Sequence, residues 1–279
     1  MYASRCSRVP VQKKDELKVW QRRDRRTQLT VWTGYFVGTM VFVWCWQLMS
    51  EETFWDFVWD APRQAGDMAS RMVPPKWDYI NALWRAIWDT LNIATLGTLM
   101  ALVLAVPTAF CAARNTTPSV TFIRPVALFI IVSSRSINSL IWALILVAIV
   151  GPGVFAGIIA IGLRSIGFCA KLLYEAIEEI DENQVEAVTA TGARGPQVLA
   201  YGIIPQVLPA FAGISVFRWD INIRESTILG LVGAGGIGLH LSSSIANLAW
   251  TQVSVILLVI IVTVIFSEWV SAKVRHAII

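Results

Sequence analysis

Apolar positions along the chain gather into blocks of roughly 20 residues, the length that crosses a hydrocarbon core. Polar, basic or glycine- and proline-bearing stretches separate them. The pattern predicts six membrane spans: Leu29–Met49, about Ala86–Ala113, about Pro125–Val150, about Val154–Leu173, about Pro209–Leu231 and Val253–Val270. The second carries the small-residue patch Thr95, Gly97 and Thr98, and Pro107 should kink it or mark a gap in its packing. The third is interrupted by the polar run Ser133 to Asn138, and the fourth contains Arg164. An all-α transmembrane fold follows.

Charge then orients the spans. Before the first span stand nine basic residues, Arg5, Arg8, Lys13, Lys14, Lys18, Arg22, Arg23, Arg25 and Arg26, against three acids. After it, Ser50–Ala82 holds six acids, three basic residues, Pro62, Pro74 and Pro75. The positive-inside rule places the N-terminus in the cytoplasm and this segment outside. Lys273, Arg275 and His276 put the C-terminus inside too. The expected order is a basic cytoplasmic tail at 1–28, a first span at 29–49, an extracytoplasmic segment at 50–82, and one transmembrane domain at 83–279. The tail reads as a solvated topology signal or as a helix lying on anionic lipid. No cleavage pattern follows the first span, so it is expected to stay as an anchor.

Composition agrees. Hydrophobic residues make up 56% of the chain and charged residues only 15%, against about 25% charged in soluble domains. The basic residues cluster beside a span, which excludes a nucleic-acid surface. Cys6, Cys45, Cys111 and Cys169 show no paired spacing, and His240 and His276 show none either. No metal site, cofactor or catalytic set is expected.

The polar segment at about 182–208 is the longest non-spanning stretch of the C-terminal half. It reads as two short helices joined at Gly192, which permits a sharp turn with positive φ. Glu186 and Ala187 precede that turn, and Pro205 and Pro209 are expected to end the unit and begin the fifth span. Such a rigid element at a membrane face suits an external motor; the alternative is an ordinary interfacial loop. The acidic run Glu175, Glu178, Glu179, Asp181 and Glu182 reads as a solvated face or as a contact for a basic partner.

Two further features are candidates. Gly233, Gly235 and Gly238, with Gly236 between them, fit GxGxxG, yet no soluble βαβ unit surrounds them, so close helix contact or an outer gate is expected rather than a phosphate cradle. No GxxxxGK[ST] motif occurs, so the chain has no P-loop of its own. In the fifth span, at about 100° per residue, Arg218, Asn222 and Glu225 share one face, while Asp220 and Arg224 lie roughly opposite and can pair. Arg218 or Arg224, with Asn222 and with Arg135 and Asn138 of the third span, could line an anion pathway, because guanidinium forks suit phosphate-like oxygens. Structural ion pairs are the competing reading.

Glu186-Ala187, Gly192 and Pro205 stand at the spacing of the EAA loop of ABC-importer permeases, with departures at Val188, Gly202 and Ile204. From about Trp77 onward the chain resembles the permease subunit of phosphonate ABC transporters. The stretches that carry the likeness are Leu91–Asn115, Arg135–Asn138, Glu186–Pro209 and Arg224–Gly238. The resemblance implies a type I importer fold, a second permease copy forming a homodimer, two copies of an ABC ATPase on the EAA loops, and a periplasmic or surface phosphonate-binding protein. It implies transport of phosphonates, phosphite or phosphate across the cytoplasmic (inner) membrane. A gradient-driven secondary anion transporter is the alternative.

Overall fold

The computed structural model describes residues 11–14, 17–20 and 25–278, with side chains from 26 to 276. Arg5, Arg8, Arg22, Arg23 and Cys6 of the basic tail lie outside the described residues. The chain divides into two compact units, Met1–Gly66 and Asp67–Ile279.

In the first unit, β1 (Val11–Lys14) and β2 (Leu17–Trp20) pair antiparallel with Val11 opposite Trp20. This part of the tail is a hairpin rather than a lipid-bound helix. Helix α1 (Arg25–Glu52) covers the first expected span, and none of its spanning window is buried by protein. Helix α2 (Trp55–Arg71) follows after two residues, contains the division between the units at Gly66, and was not foreseen.

The second unit holds α3 (Ile80–Ala112), α4 (Ile123–Ser136), α5 (Ser139–Val150), α6 (Val154–Glu178), α7 (Glu182–Ala190), α8 (Gly195–Val198), α9 (Ile204–Gly230), α10 (Ile237–Ala246) and α11 (Trp250–Ile278). Across the described residues five helices are long and apolar enough to span a membrane, or six if the α4–α5 pair is one broken span. That pair is bent by 86° where the sequence turns polar. Ile137 is extended, and the Asn138 side chain accepts the Leu140 N–H at 3.1 Å, capping α5. Ser134 donates to the Leu163 carbonyl and accepts the Gly167 N–H at 3.0 Å, so the end of α4 is fastened to α6.

Helices α3 and α6 form the central packed pair. Small residues let them approach closely: a Cβ on Gly97 would stand 2.9 Å from Ile161 Cγ2. Ala105, Ala109, Ala112, Ala127, Ala170 and Leu173 are all buried where α3, α4 and α6 meet. Pro107 lies inside an unbroken α3 beside an apolar groove toward α4. Acidic residues at the end of α6 are partly used internally. Glu178 accepts the Arg114 N–H at 2.9 Å and pairs with Arg124 at 3.4 Å, tying down the loop before α4.

The path from Gly195 to Gly230 is one helical rod, which corrects the expectation that Pro205 and Pro209 interrupt it. Pro205 falls in the first turn of α9, where its missing N–H is tolerated. Before it, Leu199–Ile203 forms a π-helical turn, and the Gln206 amide donates to the Gly202 carbonyl at 2.7 Å.

Candidate functional site

The loop between α6 and α9 is built from local capping. Asp181 accepts the Asn183 N–H at 3.0 Å and starts α7; its own N–H donates to Gln206 Oε1 at 3.0 Å, closing the loop onto α9. Gly192 takes φ +80°, with nothing within 4 Å of an added Cβ, so backbone conformation alone calls for glycine there. The Arg194 N–H donates to Gln197 Oε1 at 2.8 Å, and Pro196 opens α8. Gly202 is buried under α7, its Cβ direction meeting Val185 Cα at 3.6 Å. Glu186 and Ala187 remain exposed, and Glu186 enters no ion pair among the described residues. Ala187, Val188, Thr191, Gly192, Gln197 and Tyr201 line a shallow concave surface, with Tyr201 75% exposed. The loop presents a small-residue helix on a braced base.

The charged face of α9 meets α6 and α3. Arg218, 3% exposed, donates from Nε to Ser165 Oγ at 2.9 Å, and its guanidinium lies 5.0 Å from the Phe168 ring centre. Asn222 donates to Thr98 Oγ1 at 2.7 Å and to Ser165 Oγ at 3.1 Å. Glu225 pairs with Arg218 at 3.5 Å and directly with Arg164 of α6. Arg164 reaches Ser139 at 3.5 Å, and Ser139 donates to Asn138 at 3.2 Å. A continuous polar chain therefore runs from Asn138 through Arg164, Glu225 and Arg218 to Asn222 and Thr98. Its members satisfy one another, as buried polar groups must.

Of the five residues expected on an anion path, this network joins Asn138, Arg218 and Asn222. Arg224 lies on the opposite face of α9, with its side chain 47% exposed and paired to Asp220; Asp220 accepts from Ser267 of α11 at 2.8 Å. Arg135 is exposed, packs over Gly167 and enters no ion pair among the described residues. Sequence reasoning missed Ser165. The available sign was an arginine–serine pair in the otherwise apolar first two thirds of α6.

The glycine stretch is packed tightly. Gly233, Gly235 and Gly236 take φ of +91°, +83° and +75°. The Gly233 carbonyl accepts the Gly153 N–H at 3.0 Å, and the Ile237 N–H donates to Thr90 Oγ1 at 2.8 Å. A Cβ on Gly238 would stand 1.9 Å from the Thr227 carbonyl oxygen. Amides at 233, 234 and 237 are already bonded to protein, which leaves them unable to cradle a phosphate. Gly238→Ala is expected to lower the amount of folded protein extracted from membranes and its melting temperature, since overpacking of this kind costs about 1–3 kcal/mol. An unchanged melting curve would mean that α9 and α10 separate freely.

Comparisons place this geometry. The model of the family described as "Binding-protein-dependent transport system inner membrane component" matches residues 101–276. The phosphite transport system permease protein PtxC of Stutzerimonas stutzeri is 40% identical over 208 residues, 75% of either chain. The phosphate-import permease protein PhnE of Mycolicibacterium smegmatis is 36% identical over 258 residues, covering 92% of this chain and 47% of its own. Among solved structures, the inward-facing MetNI methionine ABC transporter aligns with TM-score 0.61 at 21% identity, covering 71% of this chain and 96% of that one. This last likeness concerns the fold alone. The chain belongs to the family of binding-protein-dependent transport system inner membrane components, the permease subunits of ABC importers.

Proposed function

We propose that this permease carries phosphorus oxyanions, meaning phosphonates, phosphite or phosphate, into the cytoplasm as a homodimer, with one ATPase subunit docked on each 182–208 loop and a binding protein at the outer face. The N- and C-termini are then cytoplasmic. The observation that carries the coupling is the helical continuity from Gly195 to Gly230: the second half of the loop and the charged face of α9 belong to one rod, and α7, which bears Glu186 and Ala187, rests on that rod at Gly202. A push on Glu186 and Ala187 by a nucleotide-driven partner passes through the α7 contact at Gly202 into movement of Arg218, Asn222 and Glu225. Support for the substrate class comes from the names of the relatives, phosphite and phosphate permeases. Support for the dimer comes from the Mycolicibacterium relative, of which this chain matches less than half, leaving length for a second such unit.

Within the site we assign separate roles. Arg135 and Arg224, exposed on their helices, are the pathway arginines that meet the oxyanion. Arg218, Asn222 and Asn138 have their polar groups engaged by protein, so they hold helices in place. Arg224→Ala is expected to leave membrane assembly intact and to reduce uptake; the initial rate of radiolabelled phosphite uptake in cells checks it, and an unchanged rate removes Arg224 from the pathway. The substrate class is tested by isothermal calorimetry on the cognate binding protein. Heats of binding are expected with a phosphonate, phosphite or phosphate. Binding of methionine or another amino acid, with none of the three oxyanions, would overturn it.

A further inference from the structure

Helix α2 (Trp55–Arg71) has no place in the transport reading. Every residue in it is exposed. Its sequence is nevertheless cleanly two-faced. At about 100° per residue, Phe57, Val58, Trp59, Ala65 and Met68 fall in one apolar sector of about 200°. Asp56, Asp60, Arg63, Gln64, Asp67 and Arg71 fill the remainder. Phe57 is 68% exposed and Trp59 80%. In water this face would be a large apolar patch, which proteins rarely leave bare.

What covers it follows from where the chain puts it. Helix α1 is a lipid-facing span, with Trp32, Phe36, Phe42 and Trp44 all exposed along it. Only Thr53 and Phe54 separate its end at Glu52 from Trp55. A fully extended link of that length reaches about 10 Å, so α2 begins at the membrane face whichever way it turns. It cannot be a span itself: it has 17 residues and carries Asp56, Asp60, Arg63, Asp67 and Arg71. A two-faced helix tethered at a bilayer surface gains most by lying in the interface, apolar side into the acyl boundary and tryptophans at headgroup depth. Its polar face holds three aspartates and two arginines, so attraction to anionic headgroups does not hold it there.

We infer that α2 is an interfacial helix lying flat in the outer leaflet, its Phe57–Trp59–Ala65–Met68 face covered by lipid and its Asp60–Gln64–Asp67 face in water. This rests on α1 being a span. It gives the permease an outer-leaflet anchor whose binding is independent of headgroup charge.

The test uses the full-length chain with Cys6, Cys45, Cys111 and Cys169 replaced by serine, in nanodiscs of phosphatidylcholine and phosphatidylglycerol. Both faces of a nanodisc are open to reagents. Single cysteines at Val58, Trp59, Ala65, Asp60, Gln64 and Asp67 are spin-labelled, and collision with oxygen is compared with collision with a water-soluble nickel chelate. Oxygen is expected to win severalfold at Val58, Trp59 and Ala65, and nickel at Asp60, Gln64 and Asp67. Exclusion of both reagents from Val58, Trp59 and Ala65 would mean that protein covers the face and overturns the proposal. Nickel access all round would mean a water-exposed helix and overturns it too. A label at Phe36 in α1 separates the two readings: it must favour oxygen if α1 spans, whatever α2 does. The unaltered chain offers a second measurement. Lipid bearing a photoreactive acyl chain is expected to crosslink within Gln64–Arg71, and its absence there counts against the interface.

Discussion

Gly192→Pro is expected to abolish uptake, roughly tenfold or more, while the protein still inserts and the partner ATPase hydrolyses ATP without transport. Proline fixes φ near −65°, and Gly192 stands at +80°. The substitution cannot be accommodated by a small adjustment; α7, with its Val185, must leave its place over Gly202. Nothing lies within 4 Å of an added Cβ, so Gly192→Ala meets only the conformational penalty, about 1 kcal/mol, and is expected to keep part of the activity. Glu186→Lys attacks the same element through its surface and is expected to uncouple likewise, because Glu186 is exposed and its loss disturbs no ion pair among the described residues. Uptake in cells and ATPase rate in detergent, measured side by side, check all three. Normal uptake by Gly192→Pro would remove the loop from the coupling path.

Glu225→Ala is expected to cost the most stability. Glu225 is the one carboxylate shared by Arg164 and Arg218 among the described residues. Its removal leaves two cations facing each other, one of them 3% exposed. Breaking a buried pair in this way costs about 3–5 kcal/mol. Arg218→Met leaves Arg164 and Glu225 as a neutral pair, so it should be milder, and Glu225→Ala combined with Arg218→Met should recover part of the loss. Thermal melting of the detergent-solubilised permease by size-exclusion profile measures the three variants. Equal melting temperatures for Glu225→Ala and the parent would show that the network carries no stability.

How much of this was legible in the sequence depends on how local each feature is. Apolar blocks named the spans because hydrocarbon length leaves few alternatives. The break in the third span was visible at Ser133 to Asn138, since hydroxyl and amide groups compete for backbone bonds, and the 86° bend stands there. The positive φ of Gly192 was likewise readable from its position between two helical runs. Pro205 and Pro209 misled because proline was read as a helix stop. In a membrane helix a π-turn and a side chain such as Gln206 satisfy the freed groups. Periodicity correctly paired Asp220 with Arg224, four residues apart on one helix. It could not pair Arg164 with Glu225, because that contact depends on how α6 lies against α9, sixty-one residues away in the chain. Helix α2 was passed over because its aspartates and arginines dilute the apolar content, although its angular separation of faces is complete.

The central claim is that this chain moves an oxyanion only when a separate ATPase pushes it. Reconstitution in proteoliposomes with the cognate ATPase and binding protein, followed by uptake of radiolabelled phosphite, tests it most directly. Uptake is expected to need ATP, the ATPase and the binding protein together, and to be indifferent to an imposed proton or sodium gradient. Phosphite accumulation by the permease alone, driven by such a gradient without ATP, would contradict it.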